Sequence, residues 1–389
     1  MVCVYCDIII VNFTKSKKLM SFQDFQISSE IIKSLESKNI TAPANSQTLS
    51  FASIRDGKNV WLKSPTGSGK TLAYLLPIIE KLLQDKQSIT QVVFFTPTHE
   101  LAIQVSNFIN ETFSSIGIKS LALIGQASIE RQKEKLKKKP QIVVGSVGRI
   151  LDLVELKKLK ANHFKYCIID EADRMLEDDS LKTLRKITSK STNPQYILGS
   201  ATIKNKALDV ASNFIDDIEL IDNSAEKETI VHSYLIAEGN RKNETLRSLM
   251  NAIQPAKTIV FLHRNNDVNF VMKKLDAANM VVGSIHGEQN KVDRANTIRK
   301  FKSGQIQVLV ASDVAARGLD IDDVDFVVNY DIPTKHEDYQ HRAGRTGRMG
   351  KKGNSVLLIN ISEQTYIEKL QKKINVVKGT LGFGEYTVK

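Results

Sequence analysis

Short apolar runs recur along this chain, separated by stretches of helical periodicity, and that alternation dictates an open α/β architecture. The runs are Val60 to Leu62, Val92 to Thr96, Ile142 to Val144, Tyr166 to Ile169 and Tyr196 to Leu198, then Ile259 to Leu262, Val281 to Ile285, Val308 to Ala311, Phe326 to Tyr330 and Val356 to Ile359. Each is near-continuously apolar and bounded by polar residues or glycine, as suits a strand buried on both faces of a parallel sheet. The stretches between them, such as Thr71 to Gln84, carry apolar residues at helical spacing. One polar run, Asp222 to Thr229, has neither period and leaves about five strands on each side. The expected organisation is α/β throughout: one domain over 21–222, a linker at 223–229, a second domain over 230–362, and a short basic helix and tail over 363–389.

Composition narrows the partners. With 41% hydrophobic and 25% charged residues the chain can bury cores, so disorder as its main state is excluded. A net charge of +12 suits a polyanion such as nucleic acid or an anionic membrane surface, and equally a solvated basic surface. No apolar stretch reaches the ~18–20 residues of a membrane span. Residues 1–13 are apolar but interrupted by Asp7, with neither a basic start nor a small-residue cleavage site, so they do not read as a signal peptide. Residues 1–20 are expected to be a disordered extension ahead of the first well-patterned segment. Three cysteines cannot make a disulfide framework; Cys3 and Cys6 have no second pair at zinc spacing, and Cys167 sits in an apolar run. This usage fits a reducing cytoplasm.

Two motifs carry chemistry. Ser64-Pro65-Thr66-Gly67-Ser68-Gly69-Lys70-Thr71 follows a strand and opens a helix, the context of a phosphate-binding P-loop, although Ser64 stands where the pattern asks for glycine. Gly67 and Gly69 let the backbone curl so that amides such as those of Thr66 and Ser68 converge on phosphate, and the helix N-terminus adds positive charge. Lys70 can reach β- and γ-phosphates, and the Thr71 hydroxyl can coordinate Mg²⁺. The alternative is a Gly-rich turn without a ligand. Farther on, the apolar strand at Cys167 runs into Asp170-Glu171-Ala172-Asp173, a Walker B arrangement. Asp170 is placed to hold Mg²⁺ and Glu171 to orient and deprotonate water; helix capping by Asp170 is the alternative.

SPTGSGKT and DEAD, among a dozen short motifs in the family's order, resemble the DEAD-box ATP-dependent RNA helicases of superfamily 2, over about residues 21–361. The short tail is most similar to the small bacterial members. The resemblance implies two tandem RecA-like domains, ATP and Mg²⁺ as cofactors, and hydrolysis to ADP and phosphate. It implies that Phe22 stacks on adenine and Gln47 hydrogen-bonds it, although Ala44, Asn45 and Ser46 depart from the family's segment. Ser200-Ala201-Thr202 would couple hydrolysis to domain closure. Asp320 would accept from the ribose, and Arg345 and Arg348 resemble arginine fingers. RNA would be gripped through its backbone by Pro97, Thr98, His99, Gly125, Ser146, Gly148 and Arg149 of the first domain and by Arg264, Gly287, Arg294 and Ser312 of the second. Departures fall at His99 for Arg, Gln126 for Gly, Val147 for Pro and Lys291 for Gln. The implied function is local unwinding or remodelling of RNA duplexes by a cytoplasmic monomer, with ribosomal precursor particles as a partner and no membrane. An ATP-gated RNA clamp with little unwinding is the alternative, since one site serves both.

Overall fold

The structure, a computed structural model, describes residues 20–65, 67–176, 180–223, 230–238, 241–316, 321, 324–347, 351–382 and 384–388. Thr66, Asp320, Arg348, the Lys291 side chain, residues 1–19 of the expected extension and 224–229 of the expected linker lie outside the described residues. The chain divides into two compact units, Met1–Glu226 and Lys227–Lys389.

In the first unit the strands are β1 (Asn59–Lys63), β2 (Val92–Phe95), β3 (Ser120–Leu123), β4 (Ile142–Gly145), β5 (Tyr166–Asp170), β6 (Gln195–Ser200) and β7 (Ile218–Asp222). Among the described residues they form one seven-stranded sheet in the order β3-β4-β2-β5-β6-β1-β7, parallel at every pairing. Successive side chains of a strand point to opposite faces. Val92 and Phe94 therefore enter one apolar layer with Val60, Leu62 and Ile168, while Val93 and Phe95 enter the other with Trp61, Cys167 and Ile169. Both layers are covered by helices, so the central strands read as unbroken apolar runs.

The second unit holds β8 (Ile230–Ile236), β9 (Thr258–Leu262), β10 (Val282–Ile285), β11 (Val308–Ser312), β12 (Phe326–Asn329), β13 (Gly353–Ile359), β14 (Val376–Gly382) and β15 (Glu385–Val388). Their order is β10-β11-β9-β12-β13-β8-β14-β15, parallel except for the β14–β15 hairpin. Val260, Val310 and Val328 face one layer, and Ile259, Phe261, Leu309 and Val327 the other. The expected pair of mostly parallel α/β sheets is present.

Of the strands without an apolar run in the sequence, β3, β7 and β15 are sheet edges and β14 lies beside one, where such a run is not required, while β8 lies inside, between β13 and β14. β7 alternates buried with more exposed positions, and β3 is half-exposed from Ser120 to Ala122 with only Leu123 buried. β8 carries His232 and Ser233, yet both are buried, because His232 Nδ1 meets the Tyr339 hydroxyl at 2.7 Å and Ser233 Oγ meets the Tyr386 hydroxyl. The expected tail requires correction. After a helix over Gln364–Gln371 the chain returns as β14, which pairs with β8, and turns back as β15. Val376 is buried, and Leu381 and Tyr386 pack against the core of the unit. Lys378, Gly379, Thr380 and Gly382 break the apolar pattern that would have announced a strand.

Candidate functional site

Apart from the segment of Phe22 and Gln47, which precedes β1, the motifs of the first unit lie at the C-terminal ends of parallel strands. The phosphate loop follows β1, Pro97 to His99 follow β2, Gly125 follows β3, Ser146 to Arg149 follow β4, Asp170 ends β5 and Ser200 ends β6. Open parallel sheets bind ligands outside these strand ends. The strand order sorts the groups. The nucleotide candidates leave β5, β6 and β1, which are neighbours, and the RNA candidates leave β3, β4 and β2, which are also neighbours. The second unit repeats the latter half: Gly287, Ser312 and Arg264 follow or end β10, β11 and β9, adjacent in that order.

Within the phosphate loop Gly67 and Gly69 have φ of 82° and 83°, conformations that L side chains rarely adopt. They release the chain into the helix Lys70–Asp85, whose apolar stripe from Leu72 to Leu82 is buried. The Lys70 ammonium donates to the carbonyls of Ser64 at 2.8 Å and Pro65 at 2.7 Å, so the charge is held over the loop. Thr71 lies in the first turn of the same helix. Gln47 is buried beside the loop: its Oε1 accepts from the Ala44 amide at 3.0 Å and its Nε2 donates to the Gly69 carbonyl at 3.3 Å. Its amide thus ties the helix Asn45–Arg55 to the loop. Phe22, expected as a stacking platform, is 1% exposed and packs edge-on against Phe25 in the core.

At the end of β5, Asp170 is buried, and burial pushes its carboxyl up to about 6; the Lys70 charge counteracts this and Glu171 adds to it. The Glu171 amide donates to Oδ1 at 3.1 Å and the Tyr74 hydroxyl to the same oxygen at 3.4 Å. A Cβ on Gly199 would sit 1.4 Å from the Tyr74 hydroxyl, so only glycine at that point of β6 leaves room for the phenol. Glu171 stands at φ 50°, ψ 48°, a left-handed conformation costing a non-glycine residue about 1 kcal/mol. The turn lifts its side chain off the strand before the helix Ala172–Met175 begins. The Thr202 hydroxyl donates to Asp173 Oδ2 at 2.7 Å, a direct bond between the Ser200–Thr202 segment and the acidic motif. Ser200 plays another part: its hydroxyl accepts from Trp61 Nε1 at 2.9 Å and donates to the Thr202 carbonyl.

On the RNA side, Thr98 caps the helix His99–Phe113 by accepting from the Leu101 amide at 3.2 Å. His99 borders Gly125. Ser146 precedes the helix Val147–Glu155 as its N-cap residue, and Gly148 faces open space. Arg149 donates to the carbonyls of Gly125 and Ala127, each at 2.9 Å, and so shapes the neighbouring loop. In the second unit Arg264 and Gly287 are exposed, and the Gly287 amide donates to Asn265 Oδ1 at 3.3 Å. Arg294 donates to the Ala315 carbonyl at 2.7 Å, and Ser312 is buried at the end of β11. Arg345 is half-buried beside Phe261, Leu309 and Ile321.

Several further residues organise these loops. Arg342 is 3% exposed and grips Asp313 with two bonds of 2.6 Å while also donating to Asn329 Oδ1 and the Asp331 carbonyl. His263 Nδ1 meets Asp313 Oδ2 at 3.0 Å and its Nε2 meets the Ile332 carbonyl at 2.7 Å. Asn223 and Tyr74 belong with them. Asp313 directly follows Ser312 and Arg342 stands three residues before Arg345, so pairing opposite charges near the expected site residues was the available signal; Asn223 and Tyr74 offered none.

Residues 44–210 match the family model of the DEAD/DEAH box helicases, and residues 241–350 match that of the helicase conserved C-terminal domain. The chain is 36% identical over 334 residues to the DEAD-box ATP-dependent RNA helicase CshC of Bacillus cereus, covering 85% of each protein. It is 35% identical to the probable ATP-dependent RNA helicase YfmL of Bacillus subtilis, over 83% of this chain and 86% of that protein. Among solved structures, S. cerevisiae Dbp5 bound to RNA and ADP BeF3 is similar with a TM-score of 0.81 and 25% identity, over 92% of this chain and 95% of that one. Mss116p bound to single-stranded RNA and AMP-PNP is similar with a TM-score of 0.84 and 25% identity, over 95% and 82%. With its loops sorted along the strand ends and both family models matched in order, the chain belongs to the DEAD-box ATP-dependent RNA helicases.

Proposed function

We propose that this chain is an RNA-dependent ATPase that uses the hydrolysis cycle to unwind or remodel short stretches of RNA duplex. The observation that supports the reading is the division of the first sheet's C-terminal edge, with phosphate chemistry on β5, β6 and β1 and the RNA loops on β3, β4 and β2. Lys70 leaves its two carbonyls for the β- and γ-phosphates, and the amides around Gly67 and Gly69 cradle them. Glu171 orients the attacking water and takes its proton. The Asp170 carboxylate and Thr71 hydroxyl fit a hard divalent ion: Tyr74 and Glu171 both use Oδ1, and two protein oxygens suit Mg²⁺, which keeps waters and phosphate oxygens. When bound, that ion would neutralise charge on the phosphates. Arg345 and Arg348 would stabilise the transition state, a contribution of about 10³–10⁵ in rate for such fingers. The RNA loops address phosphates and 2′-hydroxyls, so sequence preference is weak.

ATPase activity measured with and without single-stranded RNA tests the reading; equal rates would remove RNA coupling. Glu171→Gln should abolish turnover and still give an ATP-dependent RNA complex, whereas Lys70→Ala should lose both. A duplex-unwinding assay run beside RNA capture with a nonhydrolysable ATP analogue separates a helicase from a clamp. Competition between RNA and DNA for ATPase stimulation identifies the nucleic acid.

A further inference from the structure

The departures around Gln47 and at the first position of the phosphate loop come together in space. Asn45 Nδ2 donates to Asn223 Oδ1; Asn223 Nδ2 donates to Ser64 Oγ at 2.9 Å; Ser64 Oγ donates to Ser68 Oγ at 2.6 Å; Ser68 Oγ donates to the Pro65 carbonyl at 2.7 Å. From the other side the Ser46 hydroxyl donates to the Ser68 carbonyl. Donor inventory fixes the direction of this chain. A carbonyl only accepts, so Ser68 gives its single proton to Pro65 and must accept from Ser64. Ser64, its proton spent, must accept from an N–H of Asn223, which turns the Asn223 oxygen to Asn45. Ser64 and Asn223 are each no more than 1% exposed, where an unmet polar group costs the most.

Asn223 follows β7, its amide donating to the Lys63 carbonyl at 2.8 Å, and it is the last described residue of the first unit. At the other end of the chain, Ser68 stands between Gly67 and Gly69, the two residues that make this part of the loop most costly in entropy to order. Ser68 is therefore where a few hydrogen bonds have the greatest effect on the loop.

We propose that Asn45, Ser64 and Asn223 are positioning residues that pin Ser68 and thereby preorganise the phosphate loop for nucleotide, with the serine at position 64 and the asparagines at 45 and 223 acting as one matched set. Freeing Ser68 takes from the loop an order that nucleotide must then impose. The inference rests on the ATP-site reading above.

The test uses the full chain and a fluorescent ATP analogue, titrated without RNA. Ser64→Ala and Asn223→Ala should each raise the Kd about three- to tenfold, the loss expected from partly unpinning a single backbone residue. The double variant should be no weaker than the worse single, because either change cuts the same chain. With ATP and RNA saturating, kcat of Asn223→Ala should stay within about twofold of the parent, so its defect falls on KM. Asn45 is exposed, and Asn45→Ala gives a variant that folds even where a buried one does not, with a smaller shift in the same direction. Unchanged or tighter nucleotide binding in the folded variants, or losses that add in the double, would overturn the proposal. Lys70→Ala keeps this outcome separate: if it abolishes nucleotide binding while Ser64→Ala and Asn223→Ala do not change it, the ATP site stands and the positioning chain falls.

Discussion

Asp170 in the first unit and Asp313 in the second occupy comparable places. One ends β5 and the other directly follows β11, each at the C-terminal end of an inner strand of a parallel sheet. Burial penalises both carboxylates, and from there they diverge. At Asp170 the nearby Lys70 charge falls short of the burial cost, and the carboxyl is pushed up to about 6. At Asp313 burial is outweighed by the hydrogen bonds and charge of Arg342, with His263 adding to them, and the carboxyl is held below its ordinary value. The Arg342 guanidinium is itself enclosed, 5.2 Å above the Phe261 ring and bonded to Asn329 and Asp331. The C-terminal end of an inner parallel strand thus yields two kinds of residue. Where the chain supplies its own cation in full, the acid is part of the scaffold; where it leaves the charge under-compensated, the acid suits the divalent ion proposed above.

Removing the internal cation should break the comparison most severely. Arg342→Met leaves Asp313 buried and uncompensated, and we expect a loss of about 3–5 kcal/mol in the stability of the second unit, read by urea unfolding. The pH dependence carries the sign. In the parent, Asp313 titrates lower in the folded state than in the unfolded one, so its contribution is present above its ordinary value of 3.8 and fades as the pH falls through the folded-state value. The variant lacks that contribution, so the gap between the two proteins should narrow in acid. A gap independent of pH would show that Arg342 acts through packing alone.

Asp170→Asn is the converse and should show the opposite sign. A carboxyl raised from 3.8 to about 6 costs the folded state up to about 3 kcal/mol once ionised. The amide avoids this, so the variant should be more stable than the parent above pH 6 and lose that advantage as the pH drops toward 4. ATP hydrolysis should vanish in the same protein. Thermal unfolding at pH 8 and pH 4.5 checks the first statement; a variant less stable at both would mean that Lys70 and Tyr74 already meet the charge in full.

These two acids also show where sequence alone was sufficient. Asp170 was legible because a local pattern, an apolar strand running into acids with a phosphate loop upstream, encodes its place. The inner strands were legible for the same reason, since burial on both faces writes itself into consecutive residues such as Val92 to Phe95. The partnership of Asp313 with Arg342 was not, because it joins residues 29 positions apart and depends on packing that neither segment announces. The inner strand β8 failed similarly: it hides two polar residues whose partners, Tyr339 and Tyr386, lie more than a hundred residues away. Arg149 was legible as part of a motif while its direct task, holding the Gly125–Ala127 carbonyls, was not.

His99 sharpens the comparison at its weakest point, since here the chain omits a permanent cation at a position where the family resemblance implies one. His99 opens the helix His99–Phe113, beside Gly125 and directly after the Thr98 cap. An arginine there would add a charge that does not titrate, at a helix N-terminus already favourable to phosphate. His99→Arg should therefore tighten RNA binding by about three- to fivefold at low salt and steepen the slope of log affinity against log salt by about one ion. Fluorescence anisotropy with a labelled single strand across a potassium chloride series measures both. The comparison decides between the outcomes: if position 99 touches phosphate, affinity and slope must change together, because each contact releases its counterion. A gain in affinity with an unchanged slope would place the new arginine on protein, as Arg149 is placed on Gly125 and Ala127.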